Sequence, residues 1–249
     1  MFCAERADIV LALDESTSIV ENNPNRDNWY QRMLGFAISI VRAFSISPDL
    51  TQIGVLTFSN SARVRFYLNR YRNSVDVIAA IRRLKITLGD TNIADALRTA
   101  RTELFSSQNG ARRGVPKILV LIAAGTANIN VRMTIPEANA TKAAGIHIFT
   151  VGVGSQIKVE ELRTIATMRS YFYFATNFVT LTDVLQRLIN NSCAFVDTTT
   201  RFPPIPTTIT RPTRPTTGPQ FVTSPSTRGQ SQYSEYWQCR IYKCECPVC

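Results

Sequence analysis

The residues best suited to do chemistry are Asp14-Glu15-Ser16-Thr17-Ser18, a D-x-S-x-S sequence that directly follows a short apolar run. A carboxylate and two hydroxyls at alternating positions on a tight loop can face one hollow. Hard oxygen donors of this kind suit Mg²⁺ or Mn²⁺ better than zinc. A strand-end Asp with nearby Ser also makes an ordinary turn or cap. A second segment adds to the first reading: Gly89-Asp90-Thr91-Asn92 sets a threonine hydroxyl just ahead of a helical pattern.

Other chemistry finds little support. His147 is the only histidine and lies inside an apolar strand pattern rather than at a strand end. No Ser/His/Asp grouping exists, and no cysteine falls between Cys3 and Cys193, so nucleophilic catalysis has no candidate. Neither G-x-G-x-x-G nor G-x-x-x-x-G-K-[ST] is present, which leaves nucleotide binding unsupported. The sequence therefore reads as a binding protein and not as an enzyme.

The elements that must position these residues alternate. Residues 7–13, 117–123 and 145–153 are strand-length apolar runs, the kind buried on both faces of a parallel sheet. Helical spacing is read at 29–44, 74–84 (with Ser74 as its N-cap), about 92–104, 135–144, 159–168 and 181–189. Residues 51–59 and 62–68 read as two strands joined through Asn60 and Ser61, and 171–174 as a further strand. Strand–helix alternation at this spacing predicts an α/β fold: a doubly wound, mostly parallel sheet flanked by helices. In such a sheet a site forms at the C-terminal ends of the strands, where the Asp14 loop, Gly89–Thr91 and Ala124-Gly125 all fall.

The chain of 249 residues has room for one such domain and a smaller appendage. Residues 198–228 hold eleven threonines and seven prolines and predict an extended, mucin-like spacer. Residues 233–249 crowd Cys239, Cys244, Cys246 and Cys249 into C-x4-C-x-C-x2-C and read as an incomplete cysteine-rich segment. That spacing suits disulfides better than tetrahedral zinc. No run of 18 apolar residues exists, so no transmembrane segment is expected. The first residues carry no basic leader, yet the cysteine usage favours a secreted protein whose leader lies outside this sequence.

Lysine and arginine outnumber aspartate and glutamate 28 to 18, a net charge of +10. Three basic clusters stand out: Arg63, Arg65, Arg70 and Arg72; Arg82, Arg83 and Lys85; Arg112, Arg113 and Lys117. Guanidinium groups grip sulfate and phosphate in bidentate geometry, which makes sulfated or acidic glycans and mineral-associated polymers candidate partners. No nucleic-acid partner is expected, since nothing resembles a reading helix or a stacking platform. Asn139-Ala140-Thr141 and Asn190-Asn191-Ser192 fit the N-glycosylation pattern.

D-x-S-x-S after the first strand, G-x-T-x-x-x-x-A-L at 89–97, KILVLIAAGTAN at 117–128 and GIHIFTVGVG at 145–154 together resemble the von Willebrand factor type A domain. The likeness covers about residues 3–193, and the bracketing Cys3 and Cys193 resemble those of the extracellular matrilin and collagen VI-like type. It implies a Rossmann-like fold and an adhesive role in the extracellular matrix, with collagen the family's common partner. By the same resemblance Asp14, Ser16, Ser18 and Thr91 match the metal-ion-dependent adhesion site, and Cys3 and Cys193 match the bracketing disulfide pair. One position departs: the family pattern has Asp-Gly after the fourth strand, and this chain has Ala124-Gly125. The resemblance thus implies a Mg²⁺ or Mn²⁺ site weakened by the loss of a carboxylate, with Glu15 pointing elsewhere.

Overall fold

The structure is a computed structural model that describes residues 6–20, 27–177, 179–180, 187 and 189–191, all within the unit Met1–Pro206. Its strands are β1 (Ala7–Asp14), β2 (Thr51–Phe58), β3 (Ala62–Phe66), β4 (Lys117–Ala123), β5 (Ile146–Val153) and β6 (Phe172–Ala175). They form one sheet in the order β3-β2-β1-β4-β5-β6. All neighbouring pairs are parallel except β2 with β3, an antiparallel hairpin. The reversal of strand order at β1 and β4 opens a crevice at their C-terminal ends, the place where doubly wound sheets carry their sites.

Alternation along the strands builds two cores. Ile9, Leu11, Leu13, Ile118, Val120, Ile122, Phe149 and Val151 face one side. There they meet α1 (Leu34–Arg42) and α2 (Ser74–Arg82) through Leu34, Ala37, Val41, Val77 and Ile81. Val10, Ala12, Leu119, Leu121 and Ile148 face the other side. This second layer is closed by α3 (Ile93–Thr99), α4 (Val131–Ala143) and α5 (Val159–Ile165). Both faces of β1 and β4 are buried, which explains their unbroken apolar runs. Trp29 lies in the turn of helix entering α1, fully buried, and its indole N–H donates to the Leu84 carbonyl at 3.3 Å.

Several element ends differ from the sequence reading by a few residues, and three of them have a clear local cause. The cap of α2 is Asn73, not Ser74: Asn73 is extended, and its Oδ1 accepts the Asp76 N–H at 2.9 Å. Two cap-competent residues stand side by side, and the amide side chain reaches the helix where the hydroxyl is already inside it. Helix α4 starts at Val131, four residues before the expected 135, because Pro136 removes one interior bond without forbidding the turn ahead of it. The turn is set by Asn130, whose φ of +51° reverses the chain into the helix. Helix α5 ends at Ile165, since Ala166 is extended and the Thr167 N–H donates instead to the Ile148 carbonyl. The expected last helix, the spacer at 198–228 and every cysteine lie wholly or largely outside the described residues.

Candidate metal and adhesion site

Asp14 ends β1 with its side chain fully buried. Its Oδ1 accepts the Ser16 N–H at 2.8 Å, and its Oδ2 accepts the N–H groups of Ala124 at 2.8 Å and Gly125 at 3.1 Å. One carboxylate thus ties the loop after β1 to the loop after β4. Burial pushes its pKa up, while Ser16 and the Ala124 and Gly125 amides oppose the rise.

Thr17 fastens the first loop to the second. Its N–H and Oγ1 both donate to the Gly89 carbonyl, at 2.9 and 3.0 Å, and the Gly89 N–H donates back to Oγ1 at 3.2 Å. Gly89 has φ of +122°, and a Cβ there would stand 2.6 Å from Asn60 Oδ1, so no other residue fits without strain. Asn128 fastens the second loop to the third: its Oδ1 accepts the Thr91 N–H at 2.7 Å, and its own N–H donates to the Thr91 carbonyl at 3.0 Å. Neither Thr17 nor Asn128 stands out in the sequence reading. Their only signals are position, between two motif hydroxyls and five residues past β4.

These clamps bring the three motif hydroxyls together around Gly125. A Cβ on Gly125 would lie 2.7 Å from Thr91 Oγ1, 2.8 Å from Ser18 Oγ and 3.4 Å from Ser16 Oγ. The hydroxyl oxygens therefore surround a point that only glycine leaves open. Ser16 Oγ is buried there beside the Asp14 carboxylate and, among the described residues, completes no well-formed hydrogen bond. A buried hydroxyl held this loosely is costly, and a cation in the hollow would satisfy it. The oxygens gathered here are three hydroxyls with the Asp14 carboxylate behind them, hard atoms of the kind that Mg²⁺ or Mn²⁺ takes. Among the described residues no three His, Cys, Asp or Glu side chains gather to hold a metal.

Two neighbours explain the limits of the site. Ala124 is 4% exposed and its side chain belongs to the apolar core, so position 124 gives the hollow a backbone amide and no charge. Glu15 points away from Asp14, as the sequence reading expects. It is fully buried, and both its oxygens accept from Arg65 Nη2, at 3.0 and 2.9 Å, while Thr57 Oγ1 donates to Oε1 at 3.0 Å. His147 lies on β5, half-buried and outside the site, its pKa lowered by burial. Asn139 on α4 and Asn190 are both exposed.

A doubly wound sheet carrying this loop cluster defines a von Willebrand factor type A domain. The sequence matches that family over residues 8–187, and the chain belongs to it. Membership of that family agrees with the reading of a non-enzymatic chain. Relatives include chicken matrilin-1, 28% identical over 76% of this chain and 37% of its own length. The mouse collagen alpha-5(VI) chain is 32% identical over 76% of this chain and 7% of its own length. Among solved structures, proximal thread matrix protein 1 from the mussel byssus superposes with a TM-score of 0.71 at 32% identity. It was solved with zinc in its MIDAS motif, and the match covers 77% of this chain and 47% of that one. The chain thus spans well under two thirds of each of these three proteins, and its kinship is with matrix proteins of the matrilin and collagen VI type.

Proposed function

We propose that this chain is a secreted adhesion protein of the extracellular matrix whose A domain binds a collagen-like partner through the loop face around Asp14. The observation that carries the reading is the convergence of Ser16, Ser18 and Thr91 on one hollow beside the buried Asp14 carboxylate, with the Ser16 hydroxyl buried and, among the described residues, without a well-formed hydrogen bond. Kinship with matrilin-1 and the collagen VI chains supports the matrix setting. In this reading Asp14, Ser16, Ser18 and Thr91 hold Mg²⁺ or Mn²⁺, and the bound cation offers an open coordination position to an oxygen of the partner. Affinity for the metal is low. A single carboxylate neutralises a divalent charge less well than two, and Ala124 supplies none.

The rest of the proposal concerns the segments around the domain. Cys3 pairs with Cys193 and closes the domain; residues 198–228 are a Thr/Pro-rich linker to the cysteine-rich segment; Asn139 and Asn190 carry glycans. Surface plasmon resonance on immobilised fibrillar and collagen VI preparations tests the function. Saturable binding that falls in EDTA and falls again in Thr91→Ala is expected. No binding to any collagen, with or without Mn²⁺, would overturn the choice of partner. Peptide mapping without reductant tests the disulfide, and recovery of Cys3 and Cys193 as free thiols would overturn it.

A further inference from the structure

Charge on this domain is concentrated in one strand–helix unit. Residues 62–88 carry seven cationic side chains and a single acid, Asp76. Asp76 is occupied at the start of α2, where its carboxylate accepts from Asn73 Nδ2 at 2.8 Å. The structure also sorts the arginines that sequence alone leaves equivalent. Arg65 is spent on buried Glu15. Arg112 is spent on buried Asp8 and on the carbonyls of Ala7, Pro48 and Leu50. By contrast Arg63, Arg70, Arg72, Arg82, Arg83 and Lys85 are all exposed, and none forms an ion pair among the described residues.

The topology puts them on one border of the molecule. Strand β3 is the sheet edge, and Arg63 lies opposite Thr57, on the face that α1 and α2 cover; its neighbour Val64 packs to the other side. Helix α2 packs on that same face through Val77 and Ile81 and ends at Arg82. Seven residues past Arg82 the chain reaches Gly89, beside Asn60 at the tip of the β2–β3 hairpin. Arg82, Arg83 and Lys85 therefore sit toward the hairpin end, where Arg63 also lies. Arg70 and Arg72 occupy the connection at the start of α2. That connection is fixed by Tyr71, whose ring meets Phe66 edge-on at 5.0 Å and lies under the Arg70 guanidinium at 5.6 Å. The helix between the two groups is nine residues, roughly 14 Å long.

We infer that this β3–α2 border binds a sulfated glycan chain, independently of the loop face around Asp14. Five of the six free cations are arginines, whose planar forks suit tetrahedral oxyanions. Their layout, two groups along one rigid edge, fits an extended polyanion better than a single small anion. A membrane partner would need an apolar face beside the charge, and the only large apolar side chain well exposed in this unit is Val75. A single-stranded nucleic acid would need free aromatic platforms, but Phe66 is buried and Tyr67 and Tyr71 are half-buried.

Titrating the full chain with a heparin octasaccharide by calorimetry tests the assignment. The double variant Arg82→Glu/Arg83→Glu should bind at least tenfold more weakly, at an unchanged melting temperature, because both side chains are exposed. Arg113→Glu/Arg169→Glu makes the same change in net charge elsewhere on the surface and should lose less than threefold. Equal losses in the two double variants would reduce the effect to net charge and overturn the site. Equal affinity for chemically desulfated heparin would overturn sulfate recognition. Tighter binding to a single-stranded oligonucleotide of matched charge, or to phosphatidylserine vesicles, would overturn the choice of ligand. Collagen binding by the Arg82/Arg83 variant should be unchanged, which separates this surface from the loop face.

Discussion

The Ala124 N–H donates to Asp14 Oδ2 at 2.8 Å, across 110 residues of sequence. The position that lacks a carboxylate is thus still bound, through its backbone, to the carboxylate beside it. Because Asp14 is also held by the Ser16 and Gly125 amides, the loops are assembled by hydrogen bonds within the chain. The proposed metal affinity should therefore be separable from the fold.

That separation can be measured from the fold side. Asp14→Ala strands three buried amides at once, and urea denaturation should show a loss of about 2–4 kcal/mol. Asp14→Asn keeps an acceptor for part of the set and should lose less. A loss under about 0.5 kcal/mol for the alanine variant would mean that water replaces the carboxylate without penalty.

Arg65 answers a different buried charge. Arg65→Ala leaves Glu15 without its cation in the sheet, and a cost of about 3 kcal/mol is expected, the lower end of the range for a broken buried pair because Arg65 keeps some exposure. Adding Glu15→Gln to that background should restore part of the stability. A double variant as unstable as the single one would contradict the buried charge as the cause.

Much of this was legible in the chain itself. Ile9–Leu13 and Ile118–Ile122 are buried on both faces and Ile146–Val151 nearly so, and their almost continuous apolar runs declare the parallel sheet directly. Asp14, Ser16, Ser18 and Thr91 lie in short motifs, and their convergence follows from strand order. What stayed hidden depends on partners distant in sequence. Asn128 is an ordinary loop residue until it meets Thr91, and Arg65 is indistinguishable from Arg63 until Glu15 turns toward it. Cap placement at Asn73 against Ser74, and the helix running ahead of Pro136, turn on one-residue competitions between similar local energies.

Asn128 should matter to the site more than to the fold. It is exposed, yet its side chain fixes the Thr91 backbone and also donates to Asp90 Oδ1 at 3.0 Å. Asn128→Ala should weaken Mn²⁺ binding several-fold, read by calorimetry, and shift stability by no more than about 1 kcal/mol. Unchanged Mn²⁺ affinity would show that the Thr91 loop holds its position without this clamp.

His147 gives the domain a pH signature. Burial lowers its pKa below the ordinary value of 6.5, so the unfolded chain takes up a proton before the folded one does. Its contribution to stability is complete above 6.5 and is lost as pH falls from there through the folded value. Urea midpoints between pH 7.5 and 5.5 should fall more steeply for the wild type than for His147→Gln. Parallel profiles would contradict the assignment.

The most direct test of the account is calorimetric titration of the wild type and Ala124→Asp with Mn²⁺. The new carboxylate is buried at the residue whose N–H binds Asp14, so without metal the variant should be less stable, and Mn²⁺ should reverse the deficit by binding the folded state. The predicted result is at least tenfold tighter Mn²⁺ binding by Ala124→Asp than by the wild type. Equal affinities would contradict the claim that residue 124 sets the metal dependence of this adhesion site.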